Sequence, residues 1–213
     1  MKRVSKEELS KYLSKQIIPH AEHFLDVNLG RPDIWKWSLK EASKTEGLYC
    51  DFGSGTHTTP QIADLIPKNK ILYAFDSFEG LKEDFSDDHK TGMWIEEGAE
   101  QFLNDIHNIK VIKGWYTDTL DNFFKNTKEK ISFIHLDCCI TSATKYVLDT
   151  ISKYKKWQVG TIIQFNNIFY TEGEYWYNSD FELFNKMIKD NNLTVKYLAW
   201  AGFCHCAYKI VGI

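Results

Sequence analysis

The apolar run Leu48-Tyr49-Cys50-Asp51-Phe52 ends on Gly53-Ser54-Gly55-Thr56, and a second run, Ile71-Leu72-Tyr73-Ala74-Phe75, ends on Asp76. The pattern reads as a buried strand, a glycine turn, a helix and a second buried strand closed by a carboxylate. That is half of a nucleotide-binding α/β unit. Gly53 and Gly55 let the backbone approach a ligand closely. Asp76 falls where such units grip a ribose diol. An adenosine-containing small molecule is the expected ligand.

The glycine spacing bears on which one. A dinucleotide fingerprint wants G-x-G-x-x-G, and here the third position is Thr58. No Tyr-x-x-x-Lys pair occurs either, which argues against the commonest short-chain nicotinamide chemistry. S-adenosylmethionine carries no pyrophosphate and tolerates D-x-G-x-G followed by other residues, the form of Asp51-Phe52-Gly53-Ser54-Gly55. Taken alone, this turn fits a tight structural corner equally well.

A chain of 213 residues with 43% hydrophobic content can bury one good core. Its formal net charge is -3 and its basic residues are scattered, so nothing suggests a nucleic-acid footprint, although a protein or nucleic-acid acceptor stays open. No apolar run has transmembrane length and the start does not read as a signal peptide, so no membrane partner is expected. Five cysteines without framework spacing suit a reducing, cytoplasmic setting.

Ser5 and Glu8 form a capping-box pattern that opens a helix running toward Leu29, kinked at Pro19. His20 and His23, one turn apart on it, lack a completing ligand and read as solvated. A second helix follows Pro32 and carries Trp35 and Trp37. Residues 1–46 are thus expected to be a helical lid or extension, ahead of a domain over residues 47–213.

That domain alternates strands and helices, which predicts a parallel sheet covered on both faces. Its strands are placed at Leu48–Phe52, Ile71–Phe75, Lys110–Ile112, Ile131–Leu136 and Thr161–Phe165. The end has no room for a helix, so Leu193–Ala199 and Cys204–Val211 form a hairpin and the last strand runs antiparallel. This predicts the seven-stranded, Rossmann-like layout of class I methyltransferases.

Two further segments sharpen the reading: Asp76-Ser77-Phe78-Glu79-Gly80-Leu81, and Gly114-Trp115-Tyr116-Thr117-Asp118-Thr119-Leu120. In this order the chain resembles the macrocin O-methyltransferase-like family, which typically carries D-S-F-x-G-L and G-W/F-x-x-D-T-L. The resemblance covers roughly residues 47–169. It implies S-adenosylmethionine-dependent methyl transfer to a hydroxyl, often on a sugar or natural product. It implies that Asp51, Gly53, Ser54 and Gly55 cradle the methionine end, with Asp76 and Ser77 at the ribose and Gly114 and Trp115 near adenine. Asp118 reads instead as a helix-start charge.

The chain departs from that family at the metal site. The usual L-D-x-D-x-Y-E-S-T is Leu136-Asp137-Cys138-Cys139-Ile140-Thr141-Ser142-Ala143-Thr144, and D-D-Y is Asn166-Asn167-Ile168. In the family the carboxylates would bind magnesium and supply a base. Asp137, Asn166 and Asn167 are a weak set for Mg²⁺, because amide oxygens bear no net charge. Asp137, Cys139 and His205 are the candidate catalytic groups, with His205 expected at the ligand edge. Cys138, Cys139, Cys204 and Cys206 are not expected to share a zinc ion, since two strand spacings, about 10 Å, separate the pairs. His57 reads as a helix-start residue and His135 as a satisfied core histidine.

The aromatic stretch from Phe169 to Tyr177, with Trp35 and Trp37 above it, is the expected acceptor wall. A small-molecule acceptor is the expected partner, with a homo-oligomer left open. A catalytically inactive relative, serving as a binding protein or partner subunit, is the alternative.

Overall fold

The computed structural model describes residues 3–4, 6–12, 15, 23–25, 31–84, 89–168, 170–171, 174–176, 180–201 and 205–213. The elements run β1 (Arg3–Val4), α1 (Lys6–Tyr12), β2 (His23–Leu25), α2 (Arg31–Ala42), β3 (Leu48–Phe52) and α3 (Thr58–Ala63). Next come β4 (Leu72–Asp76), α4 (Ala99–Asn104), β5 (Ile109–Lys113), α5 (Tyr116–Asn126), β6 (Ile131–Leu136) and α6 (Thr141–Lys153). Last are β7 (Ile162–Phe165), β8 (Tyr170–Thr171), β9 (Glu174–Trp176), α7 (Asp180–Asp190), β10 (Thr194–Ala201) and β11 (His205–Gly212).

β3, β6 and β7 are buried at every position. Parallel strands covered by helices on both faces require such apolar runs. The main sheet has the order β2-β10-β11-β7-β6-β3-β4-β5. β11 pairs antiparallel with both β7 and β10, while the central strands pair in parallel. The seven strands from β10 to β5 are the expected Rossmann-like sheet with its closing antiparallel hairpin; the turn of that hairpin lies outside the described residues.

Two apolar clusters sandwich the sheet. On one face Leu120 and Phe124 of α5, Val147 and Ile151 of α6, and Phe184 of α7 pack on Phe52, Ile134 and Phe165. On the other, Trp35 and Leu39 of α2, Ile62 of α3 and Leu103 of α4 pack on Tyr49, Ala74, Phe133 and Ala207. No helix among the described residues is long and apolar enough to cross a membrane.

The N-terminal expectations need correction. No single helix reaches Leu29, because His23–Leu25 is a strand that pairs in parallel with Ala199–Ala201 of β10. It lies beyond Pro19, where a helix loses a backbone donor. The exposed edge of β10 satisfies its backbone groups instead. His20 lies outside the described residues. Trp35 does not stand over a pocket: it is 2% exposed and sits in the core. Trp37 packs against the same cluster. The N-terminus reaches the aromatic stretch another way, through β1, which pairs antiparallel with β9 in a small sheet of order β1-β9-β8. Phe169 and Tyr177 lie outside the described residues.

Replacing Trp35 with Ala therefore tests core against lid. Loss of a fully packed indole is expected to cost about 3–5 kcal/mol, read as a lowered urea midpoint, before any ligand is added.

Candidate functional site

The carboxyl ends of the parallel strands meet at one edge, and the glycine turn after β3 sits at its centre. A buried carboxylate holds that turn from below. Asp51 is fully buried. Its Oδ2 accepts the Thr59 hydroxyl at 2.6 Å and the Ser54 hydroxyl at 3.1 Å. Its Oδ1 lies 2.8 Å from Nδ1 of His135 on the neighbouring strand. An ionised carboxylate only accepts, so Nδ1 carries the hydrogen of this bond. Thr59 Oγ1 in turn accepts the Gly55 N–H at 3.0 Å. Gly53 has φ +88°, and a Cβ there would lie 2.2 Å from the Asp137 carbonyl oxygen. The glycine is thus required by the close approach of two strand ends as well as by its left-handed backbone.

Above the turn lies a cavity of about 580 Å³. Of the residues singled out in the sequence, Gly53, Ser54, Gly55, Asp76, Ser77, Gly114, Trp115, Asp137 and Cys139 line it. Asp51 does not; it acts on the turn through Ser54 and Thr59. Asp76 ends β4, and its Oδ1 accepts the Phe78 N–H at 2.7 Å. Burial pushes the Asp76 carboxyl up to about 6; the Phe78 N–H opposes the shift and the Asp51 and Glu96 carboxylates add to it. Gly114 N–H bonds the Asp76 carbonyl at 2.9 Å, which brings the β5 turn beside β4. Trp115 is the N-cap of α5, with the Lys82 ammonium 5.2 Å from its ring centroid. Asp118 falls in the first turn of α5, as the helix-start reading expects.

The expected metal ligands converge, but as a hydrogen-bonded cluster. Asn166 Nδ2 donates to Asp137 Oδ1 at 2.7 Å, and Asn167 Nδ2 reaches the same oxygen at 3.5 Å. Both amides present nitrogen, not oxygen, to the carboxylate. Among the described residues no three His, Cys, Asp or Glu side chains form a metal site. The donor set therefore does not fit Mg²⁺, which needs oxygen ligands directed at the ion.

Cys139 stands at φ +60° and its Sγ bonds the Asp137 carbonyl at 3.6 Å. Burial holds the neighbouring Cys138 thiol far above its ordinary range, so Cys138 is no thiolate. His205 opens β11 at the ligand edge, beside the Cys206–Phe165 pair, but is not among the residues lining the cavity. Cys204 lies outside the described residues. His57 does line the cavity, just before α3. His135 is a core histidine as expected, but only half satisfied: Asp51 holds Nδ1, while Nε2 is buried with no hydrogen-bond partner among the described residues.

Several further groups at this edge were not legible in the sequence. The Asp76–Leu81 motif itself brings Phe78 and Leu81 to the cavity wall, and beyond it the chain folds back and supplies Lys82, Trp94 and Glu96. Glu96 Oε2 accepts the Thr56 N–H at 2.7 Å, closing the glycine turn from a position forty residues away. Ser142 donates to Glu83 at 2.5 Å, tying this stretch to the start of α6. Asp180, at the start of α7, accepts the Thr144 hydroxyl at 2.9 Å, and burial pushes its carboxyl up to about 7. Only the acidic character of residues 79–97 hinted at any of this.

No protein-family model matches the chain, and no curated protein matches it in sequence. Solved structures do. CalS11, a calicheamicin methyltransferase, is 15% identical with a TM-score of 0.64, over 95% of this chain and 90% of that one. The O-methyltransferase from Bacillus cereus, solved in complex with SAH, is 12% identical with a TM-score of 0.56, over 98% and 92%. TomG from Streptomyces achromogenes, an O-methyltransferase solved with SAM, is 11% identical with a TM-score of 0.54, over 99% and 92%. The fold is that of the Rossmann-like methyltransferases.

Two outcomes follow from this geometry. Asp51→Ala strands the Thr59 hydroxyl and the His135 N–H in the interior, while Ser54 keeps the Asp51 carbonyl as its acceptor. A loss of about 3–5 kcal/mol is expected, measured by urea unfolding. Asp76→Asn should do the opposite. The Asp76 carboxyl is raised from 3.8 to about 6 in the fold. Its charge thus penalises the folded state fully above about pH 6, and the penalty fades as the pH falls toward 3.8. Asp76→Asn should stabilise the free protein by about 1–3 kcal/mol at pH 8, with the gain shrinking toward zero by pH 4.

Proposed function

We propose that the chain is an S-adenosylmethionine-dependent methyltransferase acting on a small-molecule acceptor, with a sugar or natural-product hydroxyl as the acceptor group. The observation that carries the reading is the charge of the cavity at the glycine turn. Asp76, Glu96 and Asp137 all line it, and the Glu96 carboxylate takes the Thr56 N–H. A dinucleotide would place its pyrophosphate near that turn, against a carboxylate. A ligand with a cationic sulfonium and an ammonium group suits the same spot. The solved relatives bound to SAH and SAM support the same ligand. The finer, macrocin-like assignment is supported by the Asp76–Leu81 and Gly114–Leu120 motifs.

Bound there, S-adenosylmethionine would supply a methyl group by in-line displacement, with the bonding pair kept by sulfur, a carbon–oxygen bond formed, and the acceptor's proton passed to the Asp137 carboxylate that lines the cavity. The chain's other part is positioning. Asp76 would accept the ribose hydroxyls, while Trp115 offers an aromatic face to adenine. The prearranged turn, held by Asp51, orients the methionine end. The remaining acidic wall, with Asp137, faces the acceptor side. A binding protein or partner subunit without turnover is the second reading, favoured by the amides that replace two family carboxylates; it would bind the ligand and transfer nothing.

Calorimetric titration with S-adenosylmethionine and S-adenosylhomocysteine tests the proposal. Micromolar binding is expected, lost in Asp76→Ala. Affinity should be flat above about pH 7 and fall by up to about tenfold per unit below pH 6, because the ribose hydroxyls need the ionised Asp76. Failure of the folded protein to bind either ligand would sink the reading.

A further inference from the structure

We propose that the amides of Asn166 and Asn167 take the place of a divalent cation at Asp137, so that this cavity works without a metal ion. The inference deepens the methyltransferase reading and rests on it for the role of Asp137.

The carboxylate is fixed in place before any ligand arrives. Asp137 N–H bonds the Phe52 carbonyl at 2.9 Å, continuing the β3–β6 pairing past the strand end. Gly53 closes against the Asp137 carbonyl from the other side. Asn166 is pinned in the same way: its N–H bonds the Leu136 carbonyl at 2.9 Å, and it is 3% exposed. The 2.7 Å bond from its Nδ2 to Asp137 Oδ1 therefore joins two backbones that cannot drift apart. Asn167 adds a longer contact, 3.5 Å, to the same oxygen.

An ion shared by these residues would need the amide oxygens turned toward it. Turning Asn166 would set two acceptor oxygens 2.7 Å apart, a repulsion that only a bound ion would offset. It would also surrender a charge-assisted hydrogen bond. One carboxylate would then have to offset a doubly charged ion. Thr144 engages only one oxygen of Asp180, but among the described residues no three His, Cys, Asp or Glu side chains gather into a ligand set. What a cation does at such a site is balance the carboxylate charge and fix its orientation. The Asn166 and Asn167 N–H donors on Oδ1 leave the charge in place but solvate it and fix its orientation.

A consequence follows for the acceptor. Asp137 Oδ2 has no hydrogen-bond partner among the described residues, and Asp137 lines the cavity. One oxygen is thus left to receive one hydroxyl. The acceptor is held by a single hydrogen bond and not by chelation. That arrangement suits an isolated hydroxyl or a phenol and gives a vicinal diol no advantage.

The test is Mn²⁺ binding, read by titration calorimetry and by the electron-spin resonance signal of the free ion, with and without S-adenosylhomocysteine. The wild-type chain should take up no Mn²⁺ below millimolar concentration, and its affinity for S-adenosylhomocysteine should not change with Mg²⁺ or a chelator. The variant N166D/N167D should gain Mn²⁺ binding by at least about tenfold; N166D alone should gain less. Stoichiometric micromolar Mn²⁺ binding by the wild type, lost in Asp137→Ala, would overturn the inference. So would a folded N166D/N167D with no gain. Mn²⁺ binding is read without the nucleoside, so a chain that ignores S-adenosylhomocysteine fails the methyltransferase reading and leaves the metal result standing.

Discussion

The buried Asp51 carboxylate is the interaction on which the site depends. It sits at the end of a central strand, fully enclosed, and is compensated by two hydroxyls and an imidazole N–H. A buried charge is tolerated only when it is so satisfied. Each of its partners belongs to a different piece of structure. Ser54 is in the turn, Thr59 is in α3, and His135 is on β6. The His135 ring meets Trp35 of α2 edge-to-face at 6.2 Å. A chain of contacts therefore runs from the helical layer, through the sheet, to the loop that faces the cavity. Thr59 carries it one step further by accepting the Gly55 N–H. The turn is rigid because its donors are already spent on a fixed partner.

Above this anchor, electrostatics selects the ligand more sharply than the glycine pattern does. A glycine turn leading into a helix ordinarily favours anions, through free N–H groups and the helix dipole. Here Glu96 has already supplied the anion. With its carboxylate on Thr56 N–H, the wall turns from a phosphate cradle into an acidic surface. Lys82, one of the few cations at the wall, is committed to the face of Trp115.

The succession of strands along the chain was legible because each central strand is a mostly apolar run, closed by a turn or a carboxylate. The closing hairpin was legible because too few residues separate the last two runs to hold a helix. Asp76, Gly114 and Trp115 could be placed because each ends a strand, and the strand ends define the cavity. Contacts between distant segments could not be read. Glu96 reaches Thr56 by a fold-back of a stretch with no strand or long helix to announce it. His23–Leu25 has no alternation of its own and is a strand only because β10 offers an edge. Trp35 lies on a helix whose apolar face is weak; packing of that helix over β10, β11, β7 and β6, where Ala199 and Ala207 stand side by side, decides its burial. The meaning of Asn166 lay between these cases. Its position was visible, but whether its oxygen or its nitrogen faces Asp137 depends on the pairing of two strands.

The same edge concentrates carboxylates whose charge the free fold tolerates poorly. Burial lifts Asp76 to about 6 and Asp180 to about 7, so both titrate near neutrality. A site made only for stability would carry amides there, as this edge does at Asn166 and Asn167. The contrast separates two uses of polarity at one sheet edge. Where a carboxylate has a donor from the protein, as Asp137 has from Asn166, its orientation is set in advance. Where it lacks one, as at the outer oxygen of Asp76, its charge is left to be met by what enters. In the proposed reading that is a ribose diol beside a cationic sulfonium. The unfavourable charge of the free state then becomes part of the binding energy, because the ligand supplies the donors and the positive charge that the fold withholds.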